Sequence, residues 1–141
     1  MTGDLDDLAR WQQTLAAEHA AIWGLGLVGA AAPAALPAEA ALDAHRRRRT
    51  RCADEVVRLG GDPVASAPAY DVTAPSNGPA ARRLAAELED ACSVAYAALA
   101  GADERGARLQ GAQWLRESAV ATWVWSGTVP ELPGISESTQ R

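Results

Sequence analysis

The chain has 141 residues, 48% of them hydrophobic, and a formal net charge of −5. That length and apolar content suit one domain whose core needs no metal or disulfide staple, and the acidic balance argues against general nucleic-acid binding, which draws on a basic surface. The 13 basic residues are all arginine, and Cys52 and Cys92 lack metal-type spacing, so both read as small buried residues.

The first helix is expected to start near Asp4, where acidic side chains favour the positive end of the helix dipole, and to run to about Ala31 before Pro33. Asp4, Asp6 and Asp7 also stand where a secretory leader would be basic, which makes the cytoplasm the expected location. The uncharged stretch that follows is rich in alanine, holds Gly24, Gly26 and Gly29 and is broken by Pro33 and Pro37. It reads as a helix end and a turn rather than a membrane span. A second helix opens at Pro37 and ends at Leu59, before Gly60 and Gly61. Residues 62–78 carry Pro, Ser, Asn and Gly without helical periodicity and form a long connection. At roughly 3.3 Å per residue it can cross the whole bundle, so helices two and three can run parallel.

The third helix runs from about Pro79 through Leu84, Leu88, Ala91, Ala95 and Leu99 to Gly101. The fourth starts by Asp103 or Glu104 and passes through Leu109, Ala112, Val120 and Trp123 to Ser126, with Gly106 and Gly111 weakening its first half. Leu132 and Ile135 are expected to fold back on the bundle, and residues 136–141 to be a disordered tail. The pattern is all-α: a four-helix bundle over residues 1–135, with short, long and short links. One long crossover between two antiparallel pairs is the ferritin-like connectivity.

Polar residues interrupt the apolar rows. Glu18 falls in the first helix's row of Leu8, Trp11, Leu15, Ile22, Leu25 and Gly29, and a lone buried charge there is costly. His45 falls in the second helix's row of Leu42, Arg49, Cys52, Val56 and Leu59, and Glu87, Glu89 and Asp90 lie close to the third helix's row. Gln113, Arg116 and Glu117 lie close to the row of the fourth. A di-iron or di-manganese site needs a carboxylate from each of two helices and a Glu-x-x-His from each of the other two. Here the second helix offers Leu42-x-x-His45 and the fourth Glu117-x-x-Val120, so one bridging carboxylate and one His are missing unless His19 or Asp43 substitutes. The favoured expectation is a buried network in which Glu18 and Glu89 accept hydrogen bonds from His45 and from Arg46 or Arg49, with no metal cofactor. Arg49, one turn after His45, is the arginine expected to point inward, and an anionic small ligand at it is the runner-up. A reduced iron or manganese site at Glu18, His45 and Glu89 is the alternative. Trp123 and Trp125 lie roughly 200° apart on a helix, so one of them marks a surface suited to a homodimer. No phosphate loop or plausible nucleophile with its His and acid is present, so an enzyme is not expected.

The segments Leu15-Ala-Ala-Glu18-His19-Ala-Ala-Ile22, Ala44-His45-Arg46, Arg58-Leu-Gly-Gly-Asp-Pro63, Leu88-Glu89-Asp90-Ala, Ala95-Tyr96 and Val129-Pro-Glu-Leu-Pro-Gly134 resemble a small ferritin-like domain family of unknown function from GC-rich bacteria. The resemblance spans nearly the whole chain and implies the ferritin-like fold without an established activity. It points to Glu18, His19, His45, Arg46, Glu89 and Asp90 as the shared polar set.

Overall fold

The computed structural model describes residues 3–32 and 37–135. Four helices follow in order: α1 (Gly3–Ala31), α2 (Pro37–Arg58), α3 (Gly78–Ala100) and α4 (Arg105–Ser126). They form an all-α four-helix bundle with no strand among the described residues. None of these helices is long and apolar enough to cross a membrane. The expected tail at 136–141 lies outside the described residues.

α1 is continuous over 29 residues, about 43 Å, and buries Trp11, Glu18 and Leu25 on one line and Thr14, Ala21 and Val28 on the next. These lines advance by seven residues, the spacing that keeps one seam facing its neighbours. Asn77 opens α3 by accepting the Ala80 N–H at 2.8 Å, and left-handed Gly127 closes α4.

The apolar core falls into two clusters. One gathers Trp11 and Leu15 of α1, Cys52 and Val56 of α2, Tyr96 and Leu99 of α3, and Trp114 of α4. The other gathers Leu25 and Val28 of α1, Ala38 of α2, Ala81 and Ala85 of α3, and Trp125 of α4. The early part of α1 therefore meets the late parts of α2 and α3 and the early part of α4. The helices run up, down, down, up, with α2 and α3 parallel, and residues 59–77 connect opposite ends of the bundle.

That crossover climbs along α1. Gln12 donates to the Asp62 carbonyl at 2.5 Å and accepts the Val64 N–H at 2.9 Å, His19 reaches the Val64 carbonyl at 2.9 Å, and Trp23 meets Tyr70 with ring centres 6.0 Å apart.

α4 presents a different face from the expected one. Leu109, Val120 and Trp123 are each more than half exposed and Ala112 is exposed, whereas Ala107, Gly111, Trp114, Ser118, Thr122 and Trp125 are buried. Close packing against α3 decides this: a Cβ on Gly111 would stand 2.7 Å from the Leu99 carbonyl carbon. Ala91 of the expected α3 row is likewise exposed, and Cys92 is buried instead. The expected fold-back of Leu132 and Ile135 is also corrected, since both side chains are exposed. Gly134 makes the contact, against Ser93 and Ala97 of α3, where a side chain has no room.

At the α1 start, buried Asp7 accepts the Asp103 and Glu104 N–H groups at 2.9 and 2.8 Å, and Arg10 donates to it at 2.9 Å. It thus caps α4 from another helix, because Glu104 makes no side-chain cap of its own. Burial pushes the Asp7 carboxyl up, but the hydrogen bonds from Glu104, Asp103 and Arg10 outweigh it and hold it below the usual range. Asp7→Ala is expected to cost about 1–2 kcal/mol at pH 7. A depressed carboxyl stabilises above its unfolded value near ~4 and loses that contribution as pH falls through its folded value. In urea unfolding the gap between wild type and Asp7→Ala should therefore close below about pH 4.

Candidate functional site

Between the two apolar clusters lies a polar layer drawn from all four helices. Glu18 comes from α1, His45 and Arg48 from α2, Glu89, Cys92, Ser93 and Tyr96 from α3, and Glu117 and Ser118 from α4. Glu18, His45 and Glu89 are 0%, 1% and 2% exposed. His45 Nδ1 donates to Glu18 Oε2 at 2.6 Å and Nε2 donates to Glu89 Oε1 at 3.0 Å. A carboxylate only accepts, so a ring engaged on both nitrogens in this way is an imidazolium. Burial works against that charge, but the Cys92 sulfur beside the ring and the hydrogen bonds to Glu18 and Glu89 outweigh it and push His45 up to about 12.

The remaining acceptors are filled as well. Tyr96 donates its hydroxyl to Glu18 Oε1 and receives Arg48 Nη1 at 3.0 Å. Arg48 Nη2 bonds Glu117 at 2.9 Å, and its guanidinium lies 5.3 Å from the Tyr96 ring centre and 5.9 Å from that of Trp114. Ser118 Oγ stands 2.9 Å from Glu89 Oε2, with Ser93 Oγ 3.2 Å behind it. The two buried carboxylates thus share one imidazolium, while the Arg48 guanidinium is held by the Tyr96 hydroxyl and by Glu117 at the edge of the layer.

The arginine expected inside is therefore corrected. Arg48 is buried, while Arg49 is half-buried outside the layer. Arg46 is exposed and pairs with Asp43 at 3.3 Å. Asp90 and Glu87 are exposed, and half-buried His19 contacts the crossover instead. Of the residues singled out in the sequence, the structure brings together Glu18, His45 and Glu89. Arg48, Tyr96, Cys92 and Ser118 were missed as site members. Cys92 and Tyr96 follow Glu89 at steps of three and four along α3, a spacing that places all three on its buried face.

Cys92 matters for any metal. Glu18, His45 and Cys92 each offer a ligand atom within 4.8 Å of the others, and all three are buried. Cys92 stands one turn after Glu89, where a di-iron helix would carry its His. The donor set is a poor match for iron or manganese chemistry of that type, because it has one imidazole and a soft thiol. Burial also pushes the Cys92 thiol up, against the thiolate a metal needs, and His45 would have to release one carboxylate to bind.

A family model described as a domain of unknown function (DUF4439) matches residues 10–137. The fold is also similar to the crystal structure of a conserved hypothetical protein, Rv2844, from Mycobacterium tuberculosis. That match has 30% identity and a TM-score of 0.82, and it covers 86% of this chain and 96% of the other. No curated protein matches the chain.

Two predictions follow from this geometry. Arg48→Met should destabilise the protein by about 1.5–3 kcal/mol, since it removes charged hydrogen bonds to buried Tyr96 and to Glu117, whereas Arg49→Met should stay within ~0.5 kcal/mol; urea unfolding distinguishes them. A His raised in the folded state stabilises fully below its unfolded value near ~6.5, and that contribution declines as pH rises until it is gone at the folded value. Between pH 7 and 8.5, wild type should lose about 1.4 kcal/mol per pH unit through this group, and His45→Gln should lack that slope.

Proposed function

The chain belongs to the DUF4439 family of unknown function, and from that premise we propose that it is a ferritin-like bundle serving as a binding or interaction module rather than a ferroxidase. Ferritin-like is the architectural reading, supported by the parallel α2 and α3 and the single long crossover. The observation that carries the functional reading is that both His45 nitrogens are held by carboxylates, Glu18 and Glu89. With both ring nitrogens so engaged, the imidazole has no lone pair left for a metal. The free thiols of Cys52 and Cys92 support a reducing compartment, the cytoplasm.

A second reading keeps a metal at the layer, favoured by the convergence of Glu18, His45 and Cys92 within 4.8 Å. Iron or manganese at Glu18, His45 and Glu89 is the form of it that the residue spacing suggests. Metal analysis of untagged protein after anaerobic Fe(II) or Mn(II) loading separates the readings. The closed layer predicts well under one ion per chain; stoichiometric uptake abolished by His45→Ala would establish the second reading.

For the partner we propose a second copy of the chain, joined through α4. Leu109, Ala112, Arg116, Val120 and Trp123 form an outward seam at steps of three and four, and Trp123 is 57% exposed. On either side of Arg116 the seam is apolar, so an antiparallel copy lays the two rows against each other, a self-complementary pairing. Sedimentation should show a dimer for wild type and a monomer for Trp123→Glu; a monomeric wild type at high micromolar concentration rules the dimer out.

A further inference from the structure

Away from the central layer, the crossover roofs a cleft of about 280 Å³ between α1 and α2. Its apolar lining comes from Ala53 of α2 and from Pro63, Val64 and Ala65 of the crossover, with buried Leu15 behind them. The roof is pinned, since Gln12 holds Asp62 and Val64 and His19 holds the Val64 carbonyl. Arg49 and His19 both line this space.

Two polar groups there are left over. Within the arginine run, Arg46 pairs with Asp43, Arg48 with Glu117 and Arg51 with Glu55; Arg47 and Arg49 make no ion pair among the described residues, and of these two Arg47 is exposed to solvent whereas Arg49 is half-buried. A carbonyl oxygen only accepts, so the His19 nitrogen facing Val64 carries the hydrogen. The ring's other nitrogen, Nδ1, makes no hydrogen bond among the described residues. A half-buried guanidinium without an anion, an open imidazole nitrogen and an apolar lining make one combination.

We propose that this cleft binds a small monocarboxylate with an apolar body, its carboxylate taken by the Arg49 fork and its hydrocarbon part laid against Ala53, Pro63 and Val64. Arg presents paired N–H donors that match a carboxylate, and a mostly apolar wall with few polar anchors is the usual build of a small-ligand site. Asp54 also lines the cleft and is exposed. It disfavours multiply charged anions such as phosphate, which is why the proposal commits to a single carboxylate. The inference rests on the binding-module reading and uses none of the residues that hold the central layer together.

The test is calorimetric titration and thermal unfolding of the full chain with 4-methylpentanoate, its uncharged amide and inorganic phosphate as probes. The carboxylate is expected to bind one per chain and to raise the unfolding temperature by roughly 4 °C at ten times its dissociation constant. The amide should bind at least tenfold more weakly. Arg49→Met should retain the wild-type unfolding temperature without ligand and lose the shift, and the amide shifts of Ala53 and Val64 should move in NMR on wild type alone. Absence of any shift with the carboxylate, or an equal response to phosphate or to the amide, overturns the proposal, as does undiminished binding to Arg49→Met. Metal content measured on the same samples decides the reading of the central layer separately: a metal-free protein without a carboxylate response loses the cleft and keeps the closed layer.

Discussion

Everything in the middle of this bundle depends on one proton-filled bridge, His45 held between Glu18 and Glu89. A single buried carboxylate would be intolerable, and two without a cation more so. The imidazolium meets one charge on each side of its ring, Tyr96, itself held by Arg48, fills the second Glu18 oxygen, and Ser118 fills the last oxygen of Glu89. Each element of the bundle must therefore be at the correct depth and rotation for the layer to close. α1 and α3 deliver the carboxylates, α2 the cations and α4 the hydroxyl and the outer acid.

The same requirement explains α4. A helix that must bring Ser118 to Glu89 and approach α3 closely at Gly111 turns small and hydroxylated residues inward, and Thr122 satisfies its own hydroxyl on the Ser118 carbonyl at 2.9 Å. Leu109, Val120 and Trp123 are then left facing outward. Buried polarity at the centre and apolar exposure at the surface are two sides of one rotation. The ends of the bundle use the complementary device: Asp7 reaches across to cap α4, and Arg58 of α2 bonds both Glu55 and Glu104, so charges tie the α1 start to the α2 end and the α3–α4 turn.

Much of the fold was legible in the residues. Pro37, Gly60, Gly101 and Gly127 mark helix limits that the structure reproduces within one or two residues, and the Pro- and Ser-rich stretch after Gly61 is the crossover. Glu18 was legible because a carboxylate within an apolar seven-residue seam has few surroundings that tolerate it. Arg48 was not. From His45, steps of three and four are both one helical turn, and Arg48 and Arg49 point about 100° apart. The sequence of α2 contains nothing to choose between them, because the choice is made by Tyr96, Trp114 and Glu117 on α3 and α4. Cys92 was misread for a related reason: spacing alone makes it filler, and only its distance to Glu18 and His45 makes it a possible donor.

What the sequence determined by itself is local: four helices, their ends, one long crossover and the inward direction of Glu18 and His45, all of which follow from periodicity, capping chemistry and the cost of burying charge. The tertiary structure decided which groups meet. It joined His45 to Glu89 across two helices, chose Arg48 over Arg49, turned the apolar row of α4 to the surface and roofed the cleft over Arg49. Those outcomes depend on how each helix is rotated against its neighbours, and that rotation is set by packing between segments far apart in the chain.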